Sequence, residues 1–485
     1  MGNALNVRAR RHWAVLSRAG VIGGILCALP VISYLVVEIN PFLILAAVIA
    51  LIGVVIILRR IELGLVVLLL SGVFVRFRLS TGTGSEIVMS LLLCGMLVGL
   101  WLVNMLVVDK RLALKPAPTN VPLLGFMAAV FISLIWGRVF RDVLVRDAGS
   151  PFVPVAAAVV MVLLPAAFLL AANLVSSVRW LQVMVWLFIA EGLVSLLLSL
   201  IMDLGIGPVN TIRWIIFSNG VVWINTKGLF PMWYLSLAFA LALFDRRLHW
   251  AWRVALLIYV AGWVYWSFVL RASWLAGWVP AFAAMGVVAL MRSKWLCLVV
   301  VVVIVVAAGG YYWRTQYESE MEGSGVTRLA AYEVNWRVTG KHLLFGTGPA
   351  GYASYYMSYF PMEGMATHSN YIDIVAQTGV VGFFFILWFF GAQILGTYKL
   401  RQQLRKREDF AESLAVAVLA GTVGCMVAMA LGDWLFPFAY TQGIVAFDEA
   451  MYCWFFMGSS WALMHSLTSA SSIASTRLAT GGVTT

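Results

Sequence analysis

Apolar residues run along this chain in long blocks and do not alternate with polar ones. The blocks fall at about 19–37, 41–58, 63–79, 87–108, 121–137, 153–175, 180–202, 228–244, 251–270, 274–291, 295–313, 371–397, 410–432 and 443–465. Each approaches the length an α-helix needs to cross a hydrocarbon core of roughly 30 Å. A β-barrel would show short segments of alternating polarity instead. The pattern predicts an all-α polytopic membrane protein with about 12–14 spanning helices. Arg76 and Arg78 interrupt the third block, and the stretch 211–224 is short enough to be a re-entrant or interfacial piece. The expected organisation is helices in the membrane over residues 1–313 and a large loop with short helices over 314–370. Further spans follow over 371–465, and a disordered Ser/Thr/Ala-rich tail over 466–485.

Composition narrows the class. Of the 485 residues, 62% are hydrophobic and only 11% charged, and the mean hydropathy is +0.95. A soluble domain is nearer a quarter charged, so a soluble enzyme, a disordered chain and a secreted disulfide scaffold are excluded. All five cysteines (Cys27, Cys94, Cys297, Cys425 and Cys453) sit in apolar blocks, and their spacing predicts neither a disulfide nor a metal site.

The net charge of +12 would suggest nucleic acid on a soluble protein. Placing the N-terminus in the cytoplasm puts most of the 33 basic residues inside, among them Arg8, Arg10, Arg11, Arg246, Arg247, Arg405, Lys406 and Arg407. That bias accounts for much of the charge without nucleic acid. It predicts both termini inside and residues 314–370 outside. The first block follows an arginine cluster as a signal sequence would, but no small-x-small cleavage site follows it, so a retained helix is expected.

The basic residues left on the outer side are the candidates for chemistry, because charge at membrane level costs several kcal/mol unless it has partners. Arg138, Arg141 and Arg146 follow the fifth block, beside Asp142 and Asp147. Their alternatives are pairing with those acids or binding a substrate anion. Arg213 and Lys227 form a second group. Arg271 stands at the tip of a near-hairpin of two blocks, just before Trp274. A guanidinium there faces either lipid phosphate or a bound anion, to which it can be bidentate. The long loop holds Arg328, Arg337, Lys341, His342 and His368. Within it, residues 325–337 repeat apolar positions at three- and four-residue steps, which predicts an amphipathic helix. Gly346-Thr347-Gly348 is weak evidence for phosphate binding without a strand–helix setting. Ser369 or Asn370 is the expected N-cap of the next span, which puts His368 at a helix N-terminus. That position disfavours imidazolium and keeps the ring able to accept a proton. Asp433 and the pair Asp448-Glu449 are expected to pair with outer arginines.

Three blocks in order resemble the O-antigen ligase and polymerase superfamily of bacterial inner-membrane glycosyltransferases. The first is Arg271-Ala272-Ser273-Trp274-Leu275-Ala276, with Leu270 where the family has serine. The second runs from Arg328 to Trp336 and on to Phe345-Gly346-Thr347-Gly348, where either Arg328 or Arg337 is the equivalent arginine. The third is His368-Ser369-Asn370-Tyr371-Ile372 leading to Thr378-Gly379-Val380-Val381-Gly382, with Ser369 in place of asparagine. The resemblance implies a glycan donor on undecaprenyl diphosphate and a sugar hydroxyl as acceptor, either on another glycan or on lipid A–core. It implies His368 as base and Arg271 with Arg328 (or Arg337) at the diphosphate; among the outer residues, Arg337, Arg138, Arg141, Arg213 and Trp274 are expected in substrate binding. No cofactor or metal is expected. The expected partners are the donor, the acceptor, membrane lipids and, for a polymerase, a chain-length regulator. A transporter should show repeated halves and midplane polar sites; no repeat is visible, and the ionisable residues cluster at one interface. The extra outer segment 138–150 favours a polymerase over a ligase.

Overall fold

Every expected block that falls on described residues folds as a helix. The computed structural model describes residues 60–75, 78–80, 86–207, 229–270, 275–315, 326–361 and 367–480. The blocks at 19–37 and 41–58, the stretch 211–224, and Arg213, Lys227, Arg271 and Trp274 lie outside them. The helices are α1 (Ile61–Phe74), α2 (Met89–Val103, prolonged by a π-helical turn), α3 (Asn120–Val139), α4 (Val153–Leu174), α5 (Val178–Leu204), α6 (Phe230–Phe244) and α7 (Trp250–Tyr265). They continue with α8 (Leu275–Arg292), α9 (Lys294–Thr315), α10 (Val326–Thr339), α11 (Gly351–Tyr359), α12 (Asn370–Leu404), α13 (Phe410–Leu431) and α14 (Phe447–Thr480). Among the described residues, α2 with its π-turn, α3, α4, α5, α12 and α13 are long and apolar enough to cross a membrane, and the protein is an all-α multi-pass membrane protein.

Three local features depart from expectation. After α1, where Arg76 and Arg78 interrupt the apolar run, two short strands, β1 (Arg78–Ser80) and β2 (Glu86–Val88), pair antiparallel. The block 443–465 folds as the first part of α14, but Asp448, Glu449, Ser459, Ser460 and His465 dilute its hydropathy, and it is buried against α4. That helix also runs on to Thr480, past Ser466, where a disordered tail was expected.

The chain divides into two compact units, residues 1–64 with 99–113, and residues 65–98 with 114–485. The second unit holds everything that follows. At its centre α13 packs against α6, α8 and α12. Polar contacts sort its connections into two groups. Asp142, Arg146 and Ala148, after α3, bond the side chains of Tyr355, Ser358 and Ser354 in α11. Asn370 at the start of α12 bonds the backbone of Leu435 and Phe436 after α13. Arg246 and Arg247 after α6 meet Glu408 and Asp409 before α13. The segments assigned from the sequence to one side therefore meet one another.

Helix α12 is broken at Gly379, whose φ of +68° is a conformation that suits glycine. The break frees backbone groups that the turn before α11 satisfies. Val380 N donates to Leu343 O at 2.8 Å, Thr347 N to Ala376 O at 2.9 Å and Gly348 N to Gln377 O at 3.1 Å. Ala350 N donates to Gln377 Oε1 at 2.8 Å. The approach is so close that a Cβ on Gly346 would stand 2.5 Å from the Gln377 carbonyl carbon, and one on Gly379 would stand 2.2 Å from Leu344 O. Gly346-Thr347-Gly348 thus docks on a broken helix, which accounts for its glycines by packing. Because α10 and α11 flank this turn, the docking holds both against the first turns of α12.

Candidate active site

His368 immediately precedes α12 with its side chain 44% exposed. Its φ of +49° lies in the left-handed region, which costs a non-glycine residue on the order of 1 kcal/mol or more. What holds it there is a set of contacts on both sides. Thr367 is buried and donates to Asp373 Oδ1 at 2.5 Å. Ser369 occupies the N-cap, yet its hydroxyl bonds Met429 O at the end of α13 instead of capping the helix. Asn370 accepts from Leu435 N at 2.8 Å and Phe436 N at 3.1 Å, and donates to Phe436 O at 2.7 Å. One carboxamide thereby fixes the segment after α13 against the start of α12.

That segment carries Asp433. Its carboxylate is 1% exposed, and Oδ2 lies 3.8 Å from His368 Nδ1. Thr441 donates to the same oxygen at 2.9 Å. The expected pairing of Asp433 with an outer arginine is not found among the described residues: its neighbours there are His368, Thr441 and Asp373. The second acid, Asp373, accepts from Tyr352 at 2.9 Å as well as from Thr367. Burial, followed by the charges of Asp373 and Asp433, pushes the Tyr352 phenol well above its ordinary range, so it serves Asp373 as a donor.

Arg328 lies near the N-terminal end of α10. Tyr332, one turn on, feels Arg328, Asp373 and Asp433 together: burial raises its pKa, the guanidinium opposes that, and the two acids add to it. Arg328 is therefore within electrostatic reach of the same small volume. Its Nε is buried and meets no hydrogen-bond partner among the described residues. Arg337 is at the other end of α10, 56% exposed and paired with Glu333 at 2.6 Å. Of the two arginines left open by the sequence, Arg328 is the one that acts on the same tyrosine, Tyr332, as the acids beside His368.

Arg138 and Arg141 share Asp147, at 3.5 and 2.7 Å, and Arg138 also donates to Pro151 O. Of the two readings open for them, the geometry matches pairing with a neighbouring acid. Nε and Nη2 of Arg141 are buried without a partner among the described residues.

The sequence points Asp433 to an arginine and Asn370 to a helix cap; in the structure they face His368 and the segment after α13. The available signal was topological. Asp433 directly follows an apolar block that ends on the same side as His368, and that proximity was legible from span counting.

The residues just described fall largely inside a match to a known family. Residues 214–387 match the family model described as O-antigen ligase. No curated protein matches the chain. The matched region takes in Arg271, Arg328, Arg337, His368 and the break at Gly379, and over these residues the chain is similar to the O-antigen ligase family.

Proposed function

We propose that the protein moves a glycan from undecaprenyl diphosphate to a sugar hydroxyl at the periplasmic face of the bacterial inner membrane, polymerising repeat units of O-antigen or exopolysaccharide. The observation that carries this reading is His368: an exposed imidazole facing a buried, hydroxyl-fixed carboxylate at 3.8 Å. With Nδ1–H turned to Asp433, Nε2 is left to accept the proton of the attacking hydroxyl. The 3.8 Å separation exceeds a hydrogen bond, as is common before substrate tightens a site. The hydroxyl oxygen bonds to the anomeric carbon while the bond from that carbon to the diphosphate oxygen breaks. Undecaprenyl diphosphate leaves with the electron pair, and Arg271 and Arg328 are assigned to its growing charge. Asp433 orients the ring.

The segment 138–150 supports the polymerase reading, because its bonds to Tyr355, Ser358 and Ser354 add a wall beside α11 for a long acceptor. A ligase using lipid A–core is the second reading, favoured by the family description. Deletion of the gene separates them: a polymerase leaves single repeat units attached to the surface lipid, whereas a ligase leaves finished polymer on undecaprenyl diphosphate. In either case His368→Ala and Arg271→Ala should fail to restore the product at normal protein level in the membrane. Restoration by both would refute the mechanism. A reporter fused after Thr315 should show periplasmic activity and one at the C-terminus cytoplasmic activity.

A further inference from the structure

An open groove of about 550 Å³ lies at the far ends of the two helices that carry the active-site residues. Its walls are Arg337, Lys341 and His342 from the end of α10, Tyr355 and Tyr359 from α11, and Asp142 from the segment after α3. Phe360 closes one side. Tyr352 and Tyr359 are seven residues apart on one face of α11, or about 10 Å along its axis. The first bonds Asp373 in the active site and the second lines the groove. Arg328 and Arg337 stand nine residues apart on α10, about 13 Å along its axis, and Arg337 lines the groove. One pair of helices therefore joins the two places at a fixed spacing.

The lining has the chemistry of a sugar. Tyr359 is 41% exposed, and its ring is followed at 6.4 Å by that of Phe360, an aromatic surface for the C–H faces of a pyranose. Asp142 offers carboxylate oxygens to hydroxyl donors, with Tyr359 already within 3.4 Å of one of them. His342 is packed edge-on against Tyr355, and its Nε2 is buried without a partner among the described residues. A site for phosphate would not present a carboxylate, which argues against a lipid headgroup. We propose that this groove is a saccharide subsite that holds sugar units of the acceptor glycan beyond the attacking hydroxyl. The proposal rests on the glycan-transfer reading and adds to it where the acceptor lies.

The test uses full-length protein in nanodiscs, titrated calorimetrically with oligosaccharides released by mild acid from the cells' own surface polysaccharide. Wild type should bind them without lipid-linked donor. Tyr359→Ala should weaken binding about tenfold, the loss of one ring contact, and Asp142→Asn should weaken it as well. Unchanged affinity in both groove variants, or no binding by wild type, would overturn the proposal. So would heat that follows the anionic lipid content of the disc and ignores the sugar, which would assign the groove to headgroups. If the groove variants lose binding but cells with His368→Ala still make the polymer, the subsite stands and the catalytic reading falls.

Discussion

The two ends of the α10–α11 pair are built on opposite principles. At the Arg328 end, Asp373, Asp433, Tyr352 and Thr367 are buried and bonded to one another or to chain segments far apart in sequence. At the Arg337 end the polar groups are mostly exposed, paired locally, and set among aromatic rings. A carboxylate placed in a low-dielectric pocket acts strongly on what it faces, while an exposed charge is screened. On the proposed reading, the buried end drives the proton transfer and the exposed end holds a varied, hydrated polymer.

Breaking the buried end should have the larger consequences. Arg328→Ala is expected to cost about 10²–10³-fold in turnover, the range for removing a preorganised charge, while Arg337→Ala should cost about fivefold or less in acceptor binding, as for an exposed ion pair. Comparable losses from the two in a transfer assay would erase the contrast. Asp433→Asn should lower turnover by up to about 10²-fold, less than loss of the imidazole itself. In the His368→Ala background it should add little, because the two act as a unit. Additive losses would show that Asp433 works independently of His368.

Gly379→Ala tests the frame. The new Cβ would need the left-handed φ and would stand 2.2 Å from Leu344 O, so the turn at residues 343–348 must move. A destabilisation of about 1–3 kcal/mol is expected, read as a lower thermal midpoint in detergent, with turnover falling alongside. The smallest effect belongs to the groove. Burial holds His342 below its usual 6.5, Asp142 opposing and Lys341 adding to the shift. A base depressed by folding is neutral in the fold, so its contribution is complete above pH 6.5 and declines as pH falls below that unfolded value. His342→Gln should flatten that part of the stability profile.

These contrasts explain what the sequence could reveal. Long apolar blocks set helix positions, because the membrane demands length and apolarity over a continuous window. His368 was visible because few titratable groups adjoin a span start. Span counting puts Asp433 on the same side as His368, but it is 65 residues away and nothing local distinguishes a carboxylate that pairs with arginine from one that faces imidazole. Gly346 and Gly348 are ambiguous in the sequence because close approach by an anion and close approach by a second backbone call for the same residue. Only the break at Gly379 reveals which applies here. The hydrophobic blocks say nothing of the groove, because its rings and charges come from three separate segments.

The proposed mechanism divides chemistry and acceptor holding between these two ends. Steady-state transfer with varied acceptor concentration tests it most directly, comparing His368→Ala and Tyr359→Ala in purified protein with saturating lipid-linked donor. His368→Ala should lower kcat by about 10²–10⁴-fold at a near-normal acceptor KM, whereas Tyr359→Ala should raise acceptor KM about tenfold and keep most of kcat. A Tyr359→Ala enzyme that loses kcat at unchanged KM, or a His368→Ala enzyme that keeps kcat, would contradict it.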